Sequence, residues 1–171
     1  MSTQAVEQLI ITMAEELAEL IKTDKLTNPV LIGIHTGGAW IAERLHSLLA
    51  LSEPLGTLDI SFYRDDFTRI GINPQVKPSQ LPFSLDDRNI ILVDDVLFTG
   101  RTIRAALNEI FDYGRPSCVV LAVLIDRGGR ELPLQATVVG QQLSLQANEQ
   151  VKLSGPAPLK YEIQKASNNT S

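Results

Sequence analysis

Three short apolar runs, each followed by a segment with a different pattern, constrain the fold of this chain more than any other feature. The runs are VLIGI at 30–34, IILV at 90–93 and CVVLAVLI at 118–125. Such runs, without polar alternation, are typical of strands buried on both faces, which occur mainly in parallel sheets covered by helices. The pattern therefore predicts an α/β fold with a central, mostly parallel sheet flanked by helices.

The segments around these runs predict three helices and two further strands. The first helix has apolar residues at spacings of three and four over 6–21, and the others are expected at 39–50 and 103–113. Gly114 and Pro116 are typical of the end of the third helix. Strands are also expected at 58–63 and around 138–139. Because the sequence shows no repeat and no break in composition, we expect one domain over 1–171.

Composition limits the location and the partners of the protein. The formal net charge of −5 argues against broad nonspecific attraction to nucleic acid. The single cysteine, Cys118, allows no internal disulfide and favours a reducing compartment. The N-terminus lacks the basic stretch of a signal peptide, and no apolar run approaches the roughly 20 residues of a membrane span. We therefore expect a cytoplasmic protein without a membrane partner.

Three turns follow the predicted buried strands, at 35–38, 94–102 and 126–129. In open parallel sheets the ligand binds beyond the carboxyl ends of the strands, where these turns would meet. In the second turn Gly100 lets the backbone bend closely around a ligand, and Thr99 and Thr102 offer hydroxyl groups. The N-terminus of the following helix presents free N–H groups. These features suit one phosphate group, although the lysine and spacing of a P-loop are missing.

Two adjacent carboxylates, Asp94 and Asp95, stand between the second strand and this loop. An ionised carboxylate only accepts hydrogen bonds, so it suits hydroxyl donors or a metal ion rather than phosphate. The vicinal diol of a ribose is an obvious donor pair, which would make the stretch suitable for a ribose 5-phosphate. Spacing alone fits equally well an aspartate pair that holds Mg²⁺ in a phosphotransfer or receiver-type site.

The stretch IILVDDVLFTGRT resembles the phosphoribosyl pyrophosphate (PRPP) motif of type I phosphoribosyltransferases. Further segments extend the resemblance to the family of pyrimidine operon attenuation proteins that are also uracil phosphoribosyltransferases; they are GIHTGG, SFYRDDF, YGRPS and VLIDRGGRELP. The resemblance implies the type I phosphoribosyltransferase fold, with a flexible active-site loop at about 64–86 and a small C-terminal hood at about 136–163. It also implies a homodimer or a higher homo-oligomer.

The reaction implied by this resemblance transfers the phosphoribosyl group of PRPP to uracil, giving UMP and diphosphate. Asp94 and Asp95 would hold the ribose hydroxyls at the catalytic centre, and Arg64 in the long loop would contact the diphosphate. The loop around the 5-phosphate would consist of Val96, Leu97, Phe98, Thr99, Gly100, Arg101 and Thr102. The other substrate-binding residues that the resemblance implies are Thr36, Gly37, Gly38, Arg127 and Val151. Mg²⁺ is implied as the partner of PRPP, held by substrate oxygens and water because no dedicated metal cluster is evident.

Two of these positions need comment. Members of the family commonly carry arginine at the position of Gly37, so a contact from that side chain is not expected here. Arg127 is expected on the diphosphate side, and the alternative is a salt bridge to Asp126 or Glu131.

The family has a second activity, in which a leader mRNA is bound with uridine nucleotide as the signal and pyrimidine gene transcription is attenuated. RNA binding requires a basic surface. The first helix is instead rich in acidic residues, which weighs against an RNA partner. Two alternatives to a uracil phosphoribosyltransferase stay open. One is an RNA-binding pyrimidine regulator that keeps its catalytic site as a nucleotide sensor, and the other is a phosphoribosyltransferase for a purine base.

Overall fold

A computed structural model describes residues 2–60 and 79–166 of the chain. Arg64 and most of the predicted loop at 64–86 lie outside the described residues. The helices are α1 (Thr3–Lys22), α2 (Gly37–Leu49) and α3 (Arg101–Tyr113). The strands are β1 (Val30–Ile34), β2 (Gly56–Leu58), β3 (Asn89–Leu97), β4 (Cys118–Asp126), β5 (Val138–Gln142), β6 (Glu149–Ser154) and β7 (Lys160–Lys165).

Five strands form the main sheet in the order β2-β1-β3-β4-β5, and all neighbouring pairs are parallel. The predicted central parallel sheet is thereby confirmed. Strands β3 and β4 run further than their apolar runs, because their pairing continues until Leu97 lies opposite Asp126. The strand expected at 58–63 is wrong in its start, because β2 begins at Gly56, and its last described residue is Leu58, opposite Ile34 of β1. Residues 59–60 are not part of a strand, and residues 61–63 lie outside the described part of the chain.

Helices cover both faces of this sheet. Helix α1 buries the apolar stripe that its spacing predicts, with Val6, Ile10, Met13 and Leu17 fully buried. Helices α1 and α2 share one core cluster with the sheet, and the inner face of α3 belongs to a second cluster. Within the described part of the chain, no helix is long and apolar enough to cross a membrane.

The C-terminal strands β6 and β7 form a separate antiparallel hairpin. Leu159 and Tyr161 anchor this hairpin, since both are buried in the cluster shared by α1 and α2. Strand β5 lies within the segment predicted as a hood, and it pairs with β4 as part of the main sheet. The hairpin therefore occupies only the later part of that segment.

Candidate active site

The carboxyl ends of β1, β3 and β4 meet at one edge of the sheet, because these strands are adjacent and parallel. A turn follows each of these three strand ends, at residues 35–38, 98–100 and 127–129. The structure thus brings together the three turns that the sequence singles out. Two helices begin at this edge as well, since α2 follows the first turn and α3 follows the second.

Asp94 and Asp95 lie inside the last part of β3 rather than in a loop after it. Asp94 is only 2% exposed, and its Oδ1 accepts a hydrogen bond from the backbone N–H of Asp95 at 2.9 Å. Asp95 repeats this arrangement, because its Oδ1 accepts from the N–H of Val96 at 2.9 Å. Each carboxylate is therefore held in a fixed orientation by the backbone of the next residue.

Gly37 and Gly38 form the start of α2 directly against these two carboxylates. A Cβ atom on Gly38 would lie 2.6 Å from the carbonyl oxygen of Val93 and 2.9 Å from Cα of Asp94. A Cβ atom on Gly37 would overlap the carboxylate of Asp95. Helix α2 begins at Gly37, so the predicted helix start at 39 is wrong by two residues. The absence of side chains lets α2 begin this close to β3, so both glycines and both acids line one surface.

The predicted phosphate loop leads directly into α3. Gly100 has a φ of 94° and precedes the first helical residue, Arg101, which is earlier than the predicted start at 103. The N–H of Arg101 donates to Oγ1 of Thr99 at 3.2 Å. Because Arg101 and Thr102 lie in the first turn, their N–H groups have no acceptor within the helix. The structure therefore supplies the helix start that can bind an anion at this loop.

The side chains of this loop differ in what they contact. Leu97 is buried in one core cluster, so only its backbone can reach a ligand, and Val96 packs partly buried against the other cluster. Phe98 is 44% exposed. Nε of Arg101 forms a 2.7 Å ion pair with Oε2 of Glu131, and both side chains are half exposed.

Arg127 stacks on the ring of Phe98, with its guanidinium carbon 4.0 Å from the ring centre. Its backbone N–H donates to the carbonyl of Leu97 at 3.1 Å, which joins the ends of β3 and β4. The two acids considered as partners for Arg127 pair with other arginines. Asp126 pairs with Arg130, and Glu131 pairs with Arg101. Nε of Arg127 is buried and has no hydrogen-bond partner in the described part of the chain. A buried donor of this kind suits an anionic oxygen.

Arg130 connects the strand ends, and the sequence did not indicate this role. Its Nη2 forms a 2.6 Å ion pair with Oδ2 of Asp126. Burial acts to raise the pKa of Asp126, but the bonds from Arg130 and from the N–H of Gly128 outweigh it. The pKa of Asp126 is therefore lowered from its ordinary value, and the ion pair persists at neutral pH.

A cavity of about 310 Å³ lies beside this ion pair, lined by residues 126–128, 130 and 142–144. The backbone N–H of Leu143 donates to the carbonyl of Asp126 at 2.9 Å, which places the chain after β5 next to the end of β4. Residues 142–144 were not predicted as site residues. The rule that ligands bind at carboxyl ends of parallel strands could have indicated them, because β5 is parallel to β4.

Among the predicted site residues that the structure describes, Val151 makes none of the contacts given above. Val151 lies in β6, half-buried against the core cluster of α1 and α2. Arg64 lies outside the described residues. Thr36 precedes α2 and is exposed, without a side-chain hydrogen bond to the helix start. Among residues 2–60 and 79–166, no cluster of three or more His, Cys, Asp or Glu side chains could hold a metal ion.

The fold and this site define a class of protein. The model of the phosphoribosyl transferase domain matches residues 2–155, and the chain belongs to that family. Among its relatives, the Bifunctional protein PyrR of Nitrosococcus oceani is 61% identical over 161 residues, covering 93% of this chain and 91% of the relative. The Bifunctional protein PyrR of Pseudomonas aeruginosa is 57% identical over 155 residues, covering 91% of each chain.

Solved structures with the same fold include two hypoxanthine phosphoribosyltransferases. The enzyme of Trypanosoma cruzi matches with a TM-score of 0.66 at 19% identity, covering 88% of this chain and 82% of that one. The enzyme of Staphylococcus aureus matches with a TM-score of 0.60 at 20% identity, covering 81% and 75%. At this identity the likeness shows the fold alone. The predicted type I fold and the predicted kinship with bifunctional pyrimidine regulators are both confirmed.

Proposed function

We propose that this protein is a cytoplasmic uracil phosphoribosyltransferase, which transfers the 5-phosphoribosyl group of PRPP to N1 of uracil and yields UMP and diphosphate. One observation carries the proposal. The acid pair of Asp94, which is buried, and Asp95, which is partly exposed, adjoins both the glycine start of α2 and the loop that begins α3. Identity of 61% with a Bifunctional protein PyrR over nearly the whole chain supports it.

The acid pair would bind the ribose. Each carboxylate has one oxygen fixed by a backbone N–H at 2.9 Å, so the pair is oriented before the sugar arrives. Two adjacent hydroxyls can donate to these acceptors. As the bond from C1 to diphosphate breaks, positive charge develops on the ribose ring. Fixed negative charge beside the ring stabilises that charge without reorganisation.

The two anionic parts of PRPP would bind on opposite sides of the acid pair. The 5-phosphate would occupy the turn at Thr99 and Gly100, where the first N–H groups of α3 lack helical acceptors. The diphosphate would face the start of α2 at Gly37 and Gly38. The unpartnered Nε of Arg127 offers a further donor to an anion. The contact from Arg64 remains a prediction.

Mg²⁺ fits this site as an ion bound with the substrate. The described residues offer the two acids of β3 and no cluster of three ligands. Mg²⁺ commonly keeps several waters and binds through one or two carboxylates together with substrate phosphates. When bound, it would neutralise charge on the diphosphate, while Asp94 and Asp95 would keep the ribose in place.

The base would occupy the 310 Å³ cavity at the ends of β4 and β5. Its lining includes residues 126–128 and 142–144. Backbone N–H and C=O groups can recognise the edge of a pyrimidine, so these segments would select the base. The similarity to hypoxanthine phosphoribosyltransferases concerns the fold alone, so it does not favour a purine.

The experiment that tests this function measures product formation from PRPP and Mg²⁺ with uracil, hypoxanthine, guanine and orotate offered singly and in competition. We expect UMP to form and the other bases to inhibit weakly. Turnover of hypoxanthine or guanine in preference to uracil would support the purine alternative. No turnover with any base, together with measurable UMP binding, would refute the enzyme and favour a nucleotide-sensing regulator.

A second candidate function is RNA-dependent regulation, the second activity that the family resemblance implies. The name Bifunctional protein PyrR gives the relatives two functions without stating which. The described surface offers it little support. In the C-terminal hairpin Lys152 lies opposite Glu162, and Lys165 lies opposite Glu149, so these lysines do not form a purely basic patch. Binding to a stem-loop RNA with steep salt dependence and a response to UMP would establish this function.

A further inference from the structure

We propose that Arg130 is a positioning residue that holds the phosphate-binding loop, residues 98–102, in the conformation that binds the 5-phosphate. The inference rests on the proposed function, because it assigns a role in the binding of that substrate. Arg130 would act through the loop, without contacting the 5-phosphate itself.

The guanidinium of Arg130 joins three separate segments. Its Nη1 donates to the carbonyl of Phe98 at 2.9 Å, its Nε donates to the carbonyl of Leu134 at 2.9 Å, and its Nη2 pairs with Asp126 at 2.6 Å. Phe98 is the first residue of the loop, and Asp126 is the last residue of β4. A planar guanidinium directs several donors in fixed directions, which a lysine ammonium cannot reproduce.

This ion pair is partly shielded from water, and more so than the neighbouring pair of Arg101 and Glu131. The side chains of Arg130 and Asp126 are 23% and 14% exposed. The side chains of Arg101 and Glu131 are both 53% exposed. An exposed pair contributes little, whereas removing one member of a buried pair leaves an uncompensated charge. Arg130 is therefore the stronger of the two connections between the loop and the segment that follows β4.

The residues after Arg130 hold the loop from its other side. The backbone N–H groups of Glu131 and Leu132 donate to the carbonyl of Thr99 at 2.9 and 3.2 Å. A Cβ atom on Gly100 would lie 3.3 Å from Leu134 and 3.4 Å from Leu132, so these side chains pack closely on the loop. Arg130 fixes this segment through its bond to Leu134. Loss of the Arg130 side chain would remove the hydrogen bond to Phe98 directly. It would also free residues 131–134, which hold the loop at Thr99 and Gly100.

A displaced loop would affect one part of the substrate more than the other. The 5-phosphate depends on the loop and on the start of α3. Arg130 also lines the base cavity, but the rest of that lining is residues 126–128 and 142–144 at the ends of β4 and β5, and the pairing of these strands does not involve Arg130. We therefore expect the loss of Arg130 to weaken binding of ribose 5-phosphate more than binding of uracil. A hydrogen bond to a charged group contributes about 1.5–3 kcal/mol, so the loss of one loop N–H contact to the phosphate corresponds to roughly a tenfold to hundredfold weaker binding.

The test compares Arg130→Met and Arg130→Lys with Arg88→Met. Arg88 is a matched control, because it pairs with Glu53 at 3.1 Å with side-chain exposures of 22% and 31%, at the opposite end of β3. For each full-length variant, the dissociation constant of ribose 5-phosphate is measured by calorimetry. The KM values for PRPP and for uracil, kcat and the unfolding temperature are measured alongside.

We expect Arg130→Met to weaken binding of ribose 5-phosphate by about tenfold to a hundredfold, the range for the loss of one hydrogen bond to a charged group. KM for PRPP should rise with it, and KM for uracil should change much less. Arg130→Lys should weaken binding of ribose 5-phosphate about as much as Arg130→Met does. A lysine can pair with Asp126, but it cannot also reach the carbonyls of Phe98 and Leu134. Arg88→Met should lower the unfolding temperature and leave ribose 5-phosphate binding unchanged.

Two outcomes would overturn the inference. In the first, Arg130→Met lowers the unfolding temperature but binds ribose 5-phosphate as the wild type does, which indicates a structural role alone. In the second, binding of ribose 5-phosphate and of uracil weakens to the same degree. Failure of the proposed function is distinguishable, because it appears as a wild-type protein without turnover. The calorimetric comparison still decides the role of Arg130 in that case.

Discussion

Replacing Gly38 by alanine should impair catalysis far more than it impairs folding. The added methyl carbon would lie 2.6 Å from the carbonyl oxygen of Val93, and ordinary contact begins at 3.4 Å. Relief of this overlap requires a movement of roughly 0.8 Å between α2 and β3. The two nearest neighbours of the methyl are backbone atoms, Val93 O and Asp94 Cα, so side-chain rotation cannot absorb the movement; the third is Oδ1 of Asp94 at 3.2 Å.

The expected loss of kcat/KM follows from this displacement. Since a misplacement of 1 Å can reduce a rate by about a hundredfold, we expect a fall of about 30- to 100-fold, or roughly 2–3 kcal/mol. Alanine at a helical position is intrinsically more favourable than glycine by about 1 kcal/mol, which offsets part of the cost to stability. The variant should therefore remain folded at the assay temperature.

The assay measures initial rates of UMP formation with PRPP varied, together with thermal unfolding. Gly56→Ala is the control, because its methyl would lie 2.8 Å from a ring carbon of Phe83, a side chain that can move, and touches neither acid. We expect Gly56→Ala to retain kcat/KM. A folded Gly38→Ala protein with kcat/KM within about twofold of the wild type would refute the claim that the glycine start of α2 sets the geometry of the acid pair.

Three further predictions follow from the described contacts. The pKa of Asp126 is lowered in the folded protein from its ordinary value of 3.8. The ionised carboxylate therefore stabilises the fold at pH values above 3.8, and this stabilisation is lost as the pH falls through the folded-state pKa. The free energy of unfolding of Asp126→Asn should thus be lower than that of the wild type at neutral pH, and the two values should converge in strong acid. Denaturant titrations in which the difference between the two proteins is as large in acid as at neutral pH would contradict this. Arg127→Met should weaken product inhibition by diphosphate by about tenfold or more, since a charge-assisted hydrogen bond is lost, and unchanged inhibition would remove Arg127 from the diphosphate site. Tyr161→Phe removes the 2.9 Å bond from the hydroxyl to Gln141 and should cost about 1 kcal/mol in chemical denaturation without changing kcat; a changed kcat would show that the hairpin influences the site.

The main sheet could be predicted because its strands are buried on both faces. Runs such as 90–93 and 118–125 have no polar alternation, and the structure makes them neighbouring parallel strands. Their true ends could not be predicted from hydrophobicity. Strand β3 continues through Asp94 and Asp95 because its pairing with β4 continues, and pairing between distant segments leaves no signal in local sequence.

The position of the acid pair and of the Gly100 turn at one edge of the sheet could also be predicted, since both directly follow an apolar strand in the sequence. Their roles in binding ribose and phosphate stay predictions. The contacts around the acid pair and the turn could not be predicted. Asp126 and Glu131 were equally available partners for Arg127, and only the folded chain assigns them to Arg130 and Arg101. The part of the cavity lined by 142–144 depends on where β5 enters the sheet.

The most direct test of the central claim is a comparison of UMP with 2′,3′-dideoxy-UMP, measured by calorimetry on the wild type and on an Asp94→Asn, Asp95→Asn double variant. If the two carboxylates hold the ribose hydroxyls, the wild type should bind UMP at least about tenfold more tightly than the dideoxy nucleotide, since hydrogen bonds to charged groups contribute about 1.5–3 kcal/mol. The double variant should bind both nucleotides with nearly the same affinity. A double variant that still prefers UMP as strongly as the wild type would show that the hydroxyls are bound elsewhere, and would contradict the account.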